Sequence, residues 1–166
     1  MTCSNGSGSG VFVPDTGVHL NNMLGETDLN PLGFHRHDPG VRVPSMMAPT
    51  VVLRDGEPEV ALGSAGSNRI RSAILQVILA VVDGGMAAQE AVSRARIHFE
   101  DGVVEAEPGV DEESLRALEA EGRTVRRWSE QNLYFGGAQA VARDPRSGAF
   151  TGGGDPRRGG VAVVVD

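Results

Sequence analysis

Residues 44–82, PSMMAPTVVLRDGEPEVALGSAGSNRIRSAILQVILAVV, decide how the rest of the chain is read. Thr50-Val51-Val52-Leu53 is a short continuous apolar run, the pattern of a strand buried on both faces. Arg54-Asp55-Gly56 supplies a turn, because Gly takes positive φ freely and Asp tolerates it. Val60-Ala61-Leu62 returns as a second strand. A loop, Gly63 to Asn68, then opens into a helix whose apolar residues Ile70, Ile74, Val77, Ile78, Val81 and Val82 recur with a 3.6-residue period. Two readings of that loop stay open. Ser67 or Asn68 caps a core helix, or the free N–H groups and positive dipole end serve an anion or a reaction oxyanion. The loop matches neither the Walker phosphate loop nor the dinucleotide fingerprint.

Outward from this unit, the chain reads as one α+β domain of 166 residues, long enough to bury a core. A formal charge of −7 and the lack of a basic stripe argue against nucleic acid as a partner. The lone cysteine, Cys3, rules out an intrachain disulfide. No apolar run approaches the 18 or more residues of a membrane span. The start, MTCSNGSGSG, lies inside a Gly/Ser loop and has no signal-peptide pattern, as expected of a truncated precursor.

Val11 to Val13 reads as a strand stopped by Pro14, and 25–43 as a long loop of the kind that covers a site. A second helix is expected over 87–97, with Ala88, Val92 and Ala95 on one face, and strands over 102–107, 124–128, 139–143 and 161–165. Asp111 caps a helix with acids in its first turn and a Val110/Leu115 staple, and Gly122 stops it. Gly148 to Gly154 reads as turns. His35 and His37 share a face but lack a third ligand, so no metal site is assigned. His98, between Ile97 and Phe99, reads as a packed core or helix-end residue. Thr2 would become an N-terminal nucleophile only if Met1 were removed, and in a Gly/Ser loop it reads as a loop residue.

Five segments together resemble the small subunit of gamma-glutamyltranspeptidase. They are Gly8-Ser9-Gly10, TGVHLNN from Thr16 to Asn22, PSMMAPT from Pro44 to Thr50, GSAGSNRI from Gly63 to Ile70, and GDPRRGG from Gly154 to Gly160. Their order and spacing cover essentially the whole chain. The resemblance implies a portion of an N-terminal-nucleophile hydrolase with αββα layers. There, a precursor cleaves itself to free a threonine, which attacks a gamma-glutamyl amide and passes the acyl group to an amino acid, peptide or water. An α-amine titrating near neutrality lets such a threonine carry its own base.

On that resemblance, the oxyanion-hole glycines align with Gly66 and Ser67, a serine keeping the N–H donor but narrowing the allowed backbone angles. The serine pair that holds the substrate α-carboxylate aligns with Ser45 and Met46, and Met46 cannot donate a hydrogen bond. The acid that binds the α-amine aligns with Glu26, and an asparagine with Asn5. The family's nucleophile and its TTHxS-like context fall before Met1. The fragment is therefore expected to lack transferase activity and to need the large subunit of the same precursor as partner. No cofactor is implied, and the small molecule bound is a gamma-glutamyl compound. Bacterial members of the family are commonly exported. Relatives also act as acylases on beta-lactam side chains or on poly-gamma-glutamate, and Met46 fits such altered specificity. A non-catalytic binding or assembly domain is the reading from another class. A portion of a stacked-sheet fold should also expose apolar strand edges and self-associate.

Overall fold

The computed structural model describes residues 5–144 and 147–165, so Thr2 and Cys3 lie outside the described residues. The chain divides into two compact units, Met1–Met47 and Ala48–Asp166.

The first unit is held by turns more than by regular elements. The expected strand at Val11 is reduced to a single antiparallel bridge between Phe12 and His19, whose rings stack 4.6 Å apart. The long loop folds into two 3-10 turns, Met23–Gly25 and Thr27–Leu29, over a buried Leu29. Buried Asn30 locks the second turn by donating to the carbonyls of Leu24 (3.2 Å) and Glu26 (2.7 Å).

The second unit contains a four-stranded antiparallel sheet in the order β1-β2-β6-β7, formed by β1 (Thr50–Arg54), β2 (Glu57–Ala65), β6 (Gly137–Arg143) and β7 (Phe150–Gly154). A second sheet has the order β3-β4-β5, with β3 (Ile97–Glu100) antiparallel and β5 (Thr124–Arg127) parallel to β4 (Val103–Ala106). Helix α1 (Arg69–Ile78), continued by a π turn over Leu79–Asp83, packs on β2 and β6, and α2 (Ala88–Ser93) packs on β6 and β7. Helix α3 (Glu112–Ala120) lies on β5.

The alternation within β2 and β6 explains why the helices cover one face. Val60, Leu62 and Ser64 are buried opposite buried Ala142, Ala140 and Ala138, and Ile70, Ala73, Ile74 and Val77 of α1 complete the core. The small alanines let the helices approach closely. On the other face Val51, Ala61 and Val141 are in register and exposed. Helix on sheet is the α+β arrangement expected, and one covered face with one open face suits a portion of an αββα fold.

Several local expectations are corrected here. Strand β1 is not buried on both faces: it is an edge strand, with Val51 and Leu53 60% and 58% exposed. The hairpin itself stands, since Asp55 (φ 53°) and Gly56 (φ 87°) both take the left-handed turn geometry. Helix α2 ends at Ser93, because Arg94 is extended and Arg96 turns inward to buried partners. His98 is therefore a buried strand residue and not a helix end. Gly148 to Gly154 is partly strand β7. A methyl group on Gly153 would come within 2.5 Å of the Ala88 carbonyl oxygen, so the glycine there admits the backbone of α2. Residues 161–165 form no strand, having no ladder partner among the described residues. The α3 reading holds: Asp111 accepts from the Ser114 amide at 2.8 Å, and Gly122 turns the chain at φ 81°.

Candidate functional site

The turn between β2 and α1 is built by close backbone approach. Gly66 has φ 124°, and a methyl group on it would meet the Gly136 Cα at 2.6 Å. Reciprocally, a methyl on Gly136 would come within 2.7 Å of the Ala65 carbonyl oxygen. Only glycine fits either position. Ser67 follows at φ 54°, a left-handed conformation in which a side chain costs about 1–3 kcal/mol. That strain persists only where neighbours over-determine the turn.

Neighbours do so here. The Arg69 amide donates to the Gly66 carbonyl (3.0 Å) and the Ile70 amide to the Ser67 carbonyl (3.1 Å), closing the turn into the helix. Asn68 is the N-cap residue, yet its side chain makes no cap hydrogen bond. Instead Asn68 Nδ2 donates to Glu100 Oε1 at 2.7 Å, across 32 residues of sequence. Arg69 Nε donates to the Tyr134 carbonyl (3.1 Å), with the guanidinium 4.7 Å above the Tyr134 ring. The simple capping reading of Asn68 is thus replaced by long-range anchoring of the turn.

Beneath the turn lies a buried polar layer. His98 Nδ1 is 2.7 Å from Ser72 Oγ, whereas its Nε2 has no hydrogen-bond partner among the described residues and stands 3.6 Å from Glu100 Oε2. Burial holds the imidazole below its ordinary value; Arg69 and Arg71 push the same way, and Glu100 opposes them. Burial likewise raises the Tyr134 phenol, with Glu105 and Glu100 adding to it.

A second network fixes the opposite wall. Asp155 is fully buried and accepts from Arg96 Nη2 (2.6 Å), the Ala138 amide (2.8 Å), the Arg157 amide (3.0 Å) and Arg157 Nη1 (3.1 Å). Glu107 is paired with Arg157 and accepts from the Arg96 and Asn132 amides at 2.9 and 3.1 Å. Arg96 also donates to the Phe135 carbonyl at 3.1 Å. Burial, with help from Arg157, pulls the Arg96 guanidinium down, and Asp155 counteracts it. Burial acts on Arg157 in the same sense, but its bonds to Glu107 and Asp155 outweigh it and hold the group above its ordinary value. Because the network grips Phe135 and Ala138, it fixes Gly136, the residue against which Gly66 is packed.

In the first unit, two of the expected substrate-binding residues come together. The Asn5 carbonyl accepts from the Gly8 and Asn22 amides (3.1 and 3.3 Å), Asn22 Oδ1 accepts from the Ser7 amide (3.0 Å), and the Glu26 carboxylate lies against Gly6. Ser45 Oγ accepts from the Met47 amide at 3.2 Å, with Met46 half-buried between them in sequence.

These segments have counterparts elsewhere. A gamma-glutamyltranspeptidase family model matches residues 1–165. The chain belongs to the gamma-glutamyltranspeptidase family. It is 33% identical over 160 residues to the glutathione hydrolase proenzyme of Bacillus subtilis strain 168, covering 96% of this chain and 27% of that protein. To the acylase ACY 1 proenzyme of Pseudomonas sp. strain SE83 it is 36% identical over 158 residues, covering 95% and 28%. Its fold is similar to the gamma-glutamyltranspeptidase from Pseudomonas nitroreducens complexed with L-DON, with a TM-score of 0.73, 29% identity, and coverage of 96% of this chain and 88% of that one. The chain thus spans less than a third of the length of these curated relatives.

Among gamma-glutamyltranspeptidase segments in this chain, sequence reasoning singled out Gly66 and Ser67 but missed Glu100, Tyr134 and Gly136. Asp155 had a signal of its own: a helix-capping residue followed by Pro at the first helical position, and the 3-10 turn Pro156–Arg158 has that cap. Glu100 had none, because its partner is remote in sequence.

Proposed function

We propose that this chain is the small-subunit part of a gamma-glutamyltransferase-like acyltransferase and hydrolase, with the large subunit of the same precursor as its partner. In this reading the Gly66 and Ser67 amides receive the negative charge that develops on the gamma-glutamyl carbonyl oxygen. Glu26 takes the substrate α-amine, Ser45 the α-carboxylate, and Asn5 steadies the first Gly-rich turn. Met46 contributes an apolar contact in place of a second hydroxyl. The observation that carries the reading is Ser67 at φ 54° directly after Gly66 at φ 124°. A fold that tolerates this strain and anchors it from three sides is preorganising backbone, and preorganised donors are what stabilise a developing oxyanion.

In this reading none of the 166 residues serves as the nucleophile, so the pure polypeptide is expected to release no nitroaniline from a gamma-glutamyl nitroanilide. The full-length protein is expected to do so. Turnover by the isolated chain that disappears in a Thr2→Ala variant would overturn this assignment.

A second reading, an acylase, is favoured by Met46 alone, since a thioether offers a carboxylate no donor. The full-length protein separates the two. A higher kcat/KM on gamma-glutamyl than on glutaryl anilide supports the transferase, and the reverse order supports the acylase.

A further inference from the structure

Between β3 and the start of α1 lies a set of polar groups that the proposed reaction does not use. Its centre is Glu100, whose side chain is 26% exposed. One carboxylate oxygen accepts from Asn68 Nδ2 at 2.7 Å; the other stands 3.8 Å from Arg69 Nη1 and 3.6 Å from His98 Nε2. Asn68 and Arg69 are the two residues that follow the strained Ser67. Arg69 is fixed in turn on Tyr134, which stacks on Trp128 with ring centroids 5.1 Å apart, and Trp128 Nε1 donates to Glu105 at 2.8 Å.

We infer that Glu100 is a positioning residue for the oxyanion turn: it fixes Asn68 and Arg69 from β3 so that the Gly66 and Ser67 amides keep their aim. The inference rests on the oxyanion-hole reading given above. Three features carry it. Ser67 holds a left-handed conformation that is uncommon and costly for a residue with a side chain. The Asn68 side chain makes no cap bond and is committed instead to a charge-assisted bond with Glu100. Glu100 is also the one carboxylate within 4 Å of Arg69 among the described residues, so its charge keeps that guanidinium next to the turn. Without Glu100 the helix would still form, because its core face is buried independently at Ile70, Ala73, Ile74 and Val77. What would loosen is the entry to the helix. Such loosening acts on the transition state more than on substrate binding, since the oxyanion exists only during reaction.

The test is steady-state kinetics of the full-length enzyme on gamma-glutamyl anilide, with melting recorded for every variant. Glu100→Ala is expected to lower kcat about tenfold or more, with KM changed less than about twofold. Glu100→Gln, which retains an acceptor for Asn68, is expected to recover most of the lost kcat. A Glu100→Ala/Asn68→Ala double variant is expected to be no slower than Glu100→Ala, because both remove one link. Wild-type kcat in Glu100→Ala, a loss matched by a fall in folded protein, or a Gln variant no better than Ala would each overturn the inference. Ser67→Pro in the same series separates this inference from the reading beneath it. If Ser67→Pro abolishes turnover while Glu100→Ala is silent, only the positioning role fails. If Ser67→Pro is silent, the oxyanion-hole reading fails and the positioning role with it.

Discussion

A Ser67→Pro variant of the full-length enzyme is expected to turn over gamma-glutamyl anilide at least about a hundredfold more slowly than wild type, the usual cost of losing one oxyanion donor. Two effects act in the same direction. Proline has no N–H, so one of the two proposed donors disappears. Its ring also holds φ near −65°, whereas Ser67 sits at 54°, so Gly66 is forced out of its contact with Gly136 as well. Core residues of α1 begin at Ile70, three positions on, and the sheet pairing of β2 ends at Ala65, so the body of the unit should survive. Steady-state kinetics combined with circular dichroism checks this. Unchanged turnover in a folded variant would contradict the assignment of the turn.

The largest expected effect on stability belongs to Asp155. Asp155→Ala should cost about 3–5 kcal/mol, the range for removing one partner of a buried ion pair. Arg96 would keep only the Val92 and Phe135 carbonyls, and Arg157 would lose one of its two carboxylates. The surrounding side chains are 0–2% exposed, so water cannot replace what is lost. Exposed pairs make the contrast. Arg54–Glu59 and Arg127–Glu112 have similar geometry, yet their arginines are 50% and 37% exposed, so solvent screens them and they hold little of the fold. Trp128, the single tryptophan, stacks on Tyr134 beside this network and reports its unfolding. With a urea m-value near 2 kcal/mol/M, the midpoint should fall by roughly 2 M. A loss smaller than about 1 kcal/mol would mean that the network carries little of the stability of the unit.

Local patterning made the skeleton legible from sequence. The hairpin at Asp55-Gly56, the apolar stripe of α1 and the cap at Asp111 follow from short-range chemistry, and each is present. The misses have a common cause in tertiary context. Residues 150–154 look like a turn because glycine is rich there, but Gly153 and Gly154 are small so that α2 and residues 160–161 can lie against the strand. The apolar run of β1 looks doubly buried, yet it forms a sheet edge with one open face. The valines of 161–165 have strand propensity without a ladder to join. At the candidate site, Gly66 and Ser67 were visible through family register. The residues that hold them, Glu100 and Tyr134, are 32 and 65 positions away from their partners and leave no trace in local pattern.

The central claim is that the Gly66 and Ser67 amides face the reacting carbonyl oxygen. It is tested most directly by a crystal structure of the full-length enzyme trapped with an electrophilic glutamine analogue that mimics the tetrahedral intermediate. The account predicts the trapped oxygen about 2.7–3.1 Å from both amide nitrogens, with Ser67 still in its left-handed conformation. A trapped oxygen held by other donors, with this turn pointing elsewhere, would contradict it.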